Sequence, residues 1–222
     1  MEGKILMNKN ELIKRYMLFI IGLFICAVGV AITKRGELGV SPVSSVANIL
    51  CIKYDFLSLG NWLIIWNCIL ILGQIVILGR QFKVYQLLQV PLSFLFGWFT
   101  DFGMLMVSWM PNELYVEKIT FVIVGTIVLG LGVYLSVSAN VIMNSGEAFV
   151  KAVSDKTHFE FGNVKIGFDI SCVIIAILLS LVFFRGQIYG TREGTLIAAL
   201  FTGIVVKFCK RHLKIDMKLL EC

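Results

Sequence analysis

Long uncharged stretches separated by short polar ones set the pattern of this chain. Tyr16 to Thr33 contains no Asp, Glu, Lys, Arg or His, and neither does Ile119 to Val137. Each approaches the ~20 apolar residues with which an α-helix crosses a hydrocarbon core of ~30 Å. Read along its length, the pattern predicts spans at 16–34, 61–79, 84–107, 118–138, 164–184 and 192–209.

The stretch ELGVSPVSSVANILC, residues 37 to 51, fits none of these. Ser41 suits an N-cap and Pro42 the first helical position, where no amide donor is needed. Only about a dozen residues follow before Lys53 and Asp55, so at ~1.5 Å per residue this helix reaches ~18 Å and cannot cross. NSGEAFVKAVSDK (144 to 156) stands in the same place in the second part of the chain.

The two parts repeat. Gly22, Gly29 and Val30 recur as Gly125, Gly132 and Val133, Gly60-Asn61 recurs as Gly162-Asn163, and Asn67 falls opposite Asp169. FGWFTDF (96 to 102) faces FTGIVVKF (201 to 208) at a slightly larger offset. The expected organisation is one transmembrane domain over residues 1–222, with repeats at 16–107 and 118–209 and basic tails at 1–15 and 210–222.

Basic residues orient the spans. If the short helices crossed, the acidic loop PNELYVE (111 to 117) would be cytoplasmic and Arg80 and Lys83 would lie outside, against the positive-inside tendency. If they dip in and return, Arg80 and Lys83 face the cytoplasm and both termini are cytoplasmic. Lys34, Arg35 and Arg185 on the outer side are then the exceptions. Three spans per repeat make the second enter from the opposite face, an inverted-topology repeat of the kind that many secondary transporters use. The expected fold is all-α and polytopic, with six transmembrane helices and two short re-entrant ones. Non-helical backbone at that depth must be buried in protein or line a wet cavity.

Composition agrees. The 222 residues are 58% hydrophobic with mean hydropathy +0.89, and 15% are charged, against ~25% in a soluble domain. The first apolar window lacks a small-residue cleavage pattern and is expected to remain in place. The net charge of +6 gathers at Lys4, Lys9, Lys14, Arg15, Lys207, Lys210, Arg211, Lys214 and Lys218. Such flanking clusters orient a protein in a bilayer and do not mark nucleic acid. Cys26, Cys51, Cys68, Cys172, Cys209 and Cys222 show no C-x-x-C spacing and read as packing residues. His158 and His212 stand alone, so no metal, cofactor or catalytic set is expected.

The polar residues of the short helices are the candidate chemistry. Ser41, Ser44, Ser45 and Asn48 share one helical face by their i, i+3, i+4, i+7 spacing, and Asn144, Glu147, Lys151 and Asp155 share another. A helix N-terminus with free amides also favours an anion. Asp169 and its repeat partner Asn67 put polar groups inside spans, where charge is costly. The expected solute-binding set is therefore Ser41, Ser44, Asn48, Asn67, Asn144, Glu147, Lys151 and Asp169. Plainer readings stand beside it. Asn144 and Glu147 have capping-box spacing and Glu147 could pair with Lys151. Asn67 and Asp169 could be a packed polar pair, Gln74 and Gln89 interhelical hydrogen bonds, and Asp101 a structural carboxylate near a span end. Gly22, Gly29, Gly125, Gly130 and Gly132 are spaced for close helix contacts.

With ELGVSPVSSV and the LSLGN turn in the first half, and NSGEAFVKAV, the FEFGN turn and YGTREGTLIAALFTG in the second, the chain resembles the YczE/YyaS/YitT-type bacterial integral membrane proteins over nearly its whole length. That family's pattern has Leu-Gly-hydrophobic-Ser-Pro with an acidic residue soon after. Here Ser44 takes the acid's place, Glu147 keeps an acid in the second half, and Asn144-Ser145-Gly146 replaces a Gly-Pro pattern. The resemblance implies a multi-pass protein of the bacterial inner membrane and names no substrate.

Three functions follow in order of support: a secondary transporter or exporter of a small polar or anionic solute, a non-transporting scaffold or accessory subunit of a membrane complex, and an enzyme. No G-x-x-x-x-G-K-[ST] motif occurs, so transport would draw on an ion gradient or a partner ATPase. The expected partners are the lipid bilayer and the solute, with no nucleic acid, and self-association into a homo-oligomer stays open.

Overall fold

A computed structural model describes residues 9 to 213. Lys4, Lys214, Lys218 and Cys222 lie outside the described residues, as do most of the two basic tails. The chain is all-α: α1 Lys9–Arg35, α2 Pro42–Lys53, α3 Leu59–Leu78, α4 Gln89–Val107, α5 Tyr115–Ser138, α6 Ser145–Thr157, α7 Phe161–Phe183 and α8 Glu193–His212. Two 3₁₀ turns, Gly79–Gln81 and Val84–Leu88, lead into α4. An isolated β-bridge joins Gly39 to Thr191.

Five of these helices are long and apolar enough to cross a bilayer, over Asn10–Arg35, Leu59–Gln81, Val84–Val107, Tyr115–Ser138 and Phe161–Phe183. They coincide with the first five expected spans, although α1 starts about two turns early, where Arg15 and Glu11 form an i,i+4 ion pair at 2.5 Å. The sixth expected span forms a helix, α8, that does not reach the same apolar length. Glu193 at one end and Lys207, Lys210 and Arg211 at the other bracket its apolar centre.

The core is an α1–α5 pair of unusually close approach, built on glycine. A Cβ placed on Gly22 would lie under 3.0 Å from Ser136 N, on Gly29 from Leu129 N, on Gly125 from Thr33 N, and on Gly132 from Cys26 N. Pairing 22 with 136, 26 with 132, 29 with 129 and 33 with 125 rises along one helix as it falls along the other, so α1 and α5 are antiparallel. Small residues let the backbones meet at this distance, where lipid supplies no hydrophobic drive for association.

On one side α4 packs parallel to α1, with Phe24 on Phe99 at a 5.1 Å centroid distance and Gly103 against Ala31. Beyond the helix ends, Arg35 donates to the Met110 carbonyl. On the other side α8 packs parallel to α5. Tyr115 bonds Glu193 at their first turns, Gly130 faces Val205 at mid-length, and Tyr134 donates to the Leu213 carbonyl. Outside these lie α3 and α7, with α2 packed on α7 and α3, and α6 on α3 and α7. The turns after α1 and α5 also agree: each contains a non-glycine residue in the left-handed region, Glu37 at φ 57° and Asn140 at φ 50°.

Candidate functional site

The tips of the two short helices meet. A Cβ on Gly146, at the second position of α6, would lie 3.3 Å from Val43 Cγ1 at the second position of α2. Each tip carries polar side chains. Pro42 begins α2 as expected, but Ser41 makes no side-chain cap. Its hydroxyl donates instead to Ser44 Oγ at 3.0 Å. Ser44, Ser45 and Asn48 are buried at 5%, 0% and 1% exposure, so the shared face expected of this helix points into protein.

At the other tip the expected capping box is absent. Asn144 Oδ1 accepts from Ser145 N at 2.9 Å, the adjacent amide rather than the third, and Glu147 is turned to its own backbone amide. Nor does Glu147 pair with Lys151, because Lys151 binds Asp155 at 3.1 Å on the exposed side of α6. The half-buried Glu147 turns inward, and the charged groups acting on it are Lys165 and Asp169 of α7. Those two form an ion pair at 2.6 Å, which partly neutralises Asp169 inside its span. At the α6 tip the buried Ser145 Oγ lacks a hydrogen-bond partner, as do Trp66 Nε1 and Asn67 Nδ2 on α3. An unpaired buried group of this kind costs ~1–3 kcal/mol and is a natural docking point for water or solute.

The remaining polar residues are structural. Gln74 and Gln89 exchange amide hydrogen bonds at 3.0 Å in both directions, and Gln74 also donates to the Ser145 carbonyl at 3.2 Å. Asp101 accepts from Ser58 Oγ at 2.5 Å and from Gly60 N at 2.8 Å, satisfying the N-terminus of α3. Cys26, Cys172 and Cys209 are buried and unpaired, Cys51 and Cys68 partly so.

From the α2 tip, the Ser41–Ser44–Asn48 stripe runs to a cavity of about 440 Å³ lined by Lys34, Glu37, Gly39, Asn48, Ile52, Ile188, Tyr189, Gly190 and Arg192. Asn48 ties three elements together, accepting from Lys34 Nζ at 2.6 Å and donating to the Gly190 carbonyl at 2.9 Å. Gly190 sits at φ +68°, and a side chain there would strike Ile52 and Asn48. At the rim Glu37 pairs with Lys118 at 2.7 Å, and this ammonium holds the Glu37 carboxyl below its ordinary range. Arg192 pairs with Glu193 at 3.2 Å.

Of the expected set, Ser41, Ser44, Asn144 and Glu147 gather at or near the two tips, Asn48 lines the cavity, Lys151 points away, Asn67 is buried on α3, and Asp169 is paired with Lys165 on α7. Lys34, Tyr189, Gly190 and Arg192 were not anticipated. Lys34 had a signal, as a basic residue on the wrong side for the positive-inside tendency.

Residues 13–211 match the family of unknown function DUF6198, and the chain belongs to that family. The chain is also 28% identical over 202 residues to the uncharacterized membrane protein YczE of Bacillus subtilis (strain 168), covering 90% of this chain and 87% of that protein. No solved structure matches.

Proposed function

For a multi-pass membrane protein of this family, we propose secondary transport or export of a small polar or anionic solute across the bacterial inner membrane. The solute site lies between the tips of α2 and α6. The observation that carries this reading is the register of the central pair. Residues 22, 26, 29 and 33 of α1 meet 136, 132, 129 and 125 of α5, so a shift of 103 positions exchanges the two sides of every contact. An antiparallel pair with that property has a pseudo-two-fold axis across it, which for bilayer-crossing helices lies in the membrane plane, as in inverted-repeat transporters.

Other contacts favour the same arrangement. Arg35, at the end of α1, bonds Met110 beyond the end of α4, and Ser58, at the start of α3, bonds Asp101 near that same end. The intervening segment, 36 to 57, therefore leaves and returns at one face, which supports a re-entrant α2. Its approach, through the buried Leu38, Gly39 and Val40, is non-helical backbone enclosed in protein. Contacts with α5 from Glu193 to Leu213 favour α8 as a sixth crossing helix, its lysines reaching the interface by their long stems. In this reading both termini are cytoplasmic, the cavity opens outward, and neither covalent chemistry nor a cofactor is involved.

The test is thermal stabilisation of purified protein against a library of small polar and anionic solutes. A site-specific binder at a hundredfold excess over Kd raises stability by ~2.7 kcal/mol. Glu147→Gln retains size, and with no capping box to lose it should fold as the parent does while losing the stabilising hit or its pH dependence. The alternative, a non-transporting scaffold, is favoured by α7, whose span is only 17% buried. It expects no solute hit and parental behaviour from Glu147→Gln.

A further inference from the structure

We propose that the cavity beneath α2 is an anion-selecting vestibule, taking a soluble solute with one carboxylate head and a small apolar body. Lys34 is the binding cation and Asn48 its positioning residue. The inference rests on the transport reading for the role of the solute, and on the cavity alone for its chemistry.

The charges decide the sign. Three charged side chains line the cavity, and two are neutralised locally: Glu37 by Lys118 at 2.7 Å and Arg192 by Glu193 at 3.2 Å. Lys34 is different. Its ammonium meets the neutral Asn48 amide at 2.6 Å, and among the described residues it forms no ion pair. Glu37, bound to Lys118, acts on Lys34 only from beyond ion-pair distance, so the cavity holds one positive charge without a direct counter-ion, and a half-buried ammonium is stabilised most by an anion beside it.

The walls decide the shape. Ile52, Ile188 and the ring of Tyr189, whose hydroxyl donates to Gln187, supply apolar wall, and about 440 Å³ falls within the ~300–1,000 Å³ of small-molecule sites. Asn48 is 1% exposed and spends its amide on Gly190 and Lys34. It fixes the ammonium rather than competing for the ligand. Since the same side chain continues the Ser41–Ser44 stripe, an anion held at Lys34 stands at the outer end of a polar track leading to the two helix tips.

Charge selectivity can be read without knowing the solute. A cysteine at Ile188, on the exposed rim, is labelled with an anionic reagent (2-sulfonatoethyl methanethiosulfonate) and a cationic one (2-trimethylammonioethyl methanethiosulfonate), with the protein lacking that cysteine as background. The anionic-to-cationic rate ratio should fall roughly three- to tenfold in Lys34→Gln, as expected for one unit charge at several ångströms in a partly aqueous site, and should hold in Lys34→Arg. With Lys34 intact, benzoate should slow labelling and neutral benzamide should not, which keeps the test valid if Lys34→Gln folds poorly. Nanodiscs of phosphatidylcholine should give the same ratio as nanodiscs containing phosphatidylglycerol. An unchanged ratio in well-folded Lys34→Gln, or equal protection by benzoate and benzamide, overturns the proposal. So does occlusion by phosphatidylglycerol, which would make the ligand a lipid headgroup. A selective vestibule without any stabilising solute at the α2 and α6 tips would retain this inference and remove the transport site.

Discussion

The α3–α4 and α7–α8 pairs, which the sequence reading sets opposite each other, differ in packing. Gly60 of α3 meets the Gly97 carbonyl of α4 with no room for a Cβ, and Gly97 in turn abuts Ile64 and the Gly60 carbonyl. The matching glycines, Gly162 on α7 and Gly203 on α8, face nothing within 4 Å. Asp101 satisfies the start of α3, whereas Glu160 gives α7 no side-chain cap. The connections differ in the same sense. Two 3₁₀ turns fold α3 back onto α4, while the segment after α7 is laid across α2, with Gly190 accepting from Asn48 and Thr191 bridged to Gly39. One wall of the cavity is this segment between α7 and α8. Similar residues at spaced positions thus accompany a helix in both places and leave room for each pair to pack differently.

The strongest way to break this comparison is to put the same methyl group into both hairpins. Gly60→Ala drives a Cβ against a backbone carbonyl that cannot move without its helix, and should destabilise by ~1–3 kcal/mol. Gly162→Ala adds a methyl to open space and should be neutral or stabilising by up to ~1 kcal/mol. Thermal melts of the two purified variants decide it. Equal losses would mean that α7 and α8 close on each other in the membrane as α3 and α4 do.

Helix positions and the tight glycines of α1 and α5 were legible in the sequence because apolar length and small-residue spacing are local signals. The face of α2 was legible too, since Ser44, Ser45 and Asn48 follow helical period, and the Gln74–Gln89 pair was correctly read as structural. What the chain could not disclose was which atom each polar group would choose. Asn144 and Glu147 carry capping-box spacing, yet Asn144 turns to the neighbouring amide and Glu147 faces inward, where the charges acting on it come from Lys165 and Asp169 of another helix. The cavity was invisible for the same reason. Its walls come from the end of α1, the middle of α2 and the 188–192 segment, and no local pattern predicts that those three converge.

A smaller effect sharpens the contrast at the helix starts. Asp101→Asn keeps an acceptor for Gly60 N but weakens the charge-assisted bond from Ser58, and should cost ~1–2 kcal/mol, within the range for lost helix caps and hydrogen bonds to charged groups. Glu160→Gln should shift the melting temperature by less than the scatter between preparations. Parental stability in Asp101→Asn would mean that glycine contact alone closes the first hairpin.

The smallest expected effect lies at the turns after α1 and α5. Glu37 and Asn140 hold the same left-handed position in the two halves, but only Glu37 reaches across, to Lys118 of α5. The residue matching Lys118 in the first half is Arg15, and Arg15 is held by Glu11 within its own helix. Among the described residues, an ion pair thus joins the turn after α1 to α5, and none joins the turn after α5 to Arg15. Because Lys118 lowers the pKa of Glu37 in the folded state, the stabilisation is fully present above the unfolded carboxyl value of ~4.3. It is lost as pH falls through the lower folded value. With the Glu37 side chain 58% exposed, solvent and salt screen the pair, and it should contribute at or below the low end of the ~0.2–1 kcal/mol typical of exposed pairs. Glu37→Gln should therefore lower the melting temperature slightly at pH 7 and in low salt, with the difference from the parent shrinking toward zero below about pH 4 and in high salt. Melting curves across pH 3.5 to 7 at two ionic strengths measure this directly. A gap between variant and parent that persists unchanged at acid pH would show that the turn is held by its left-handed backbone and not by charge.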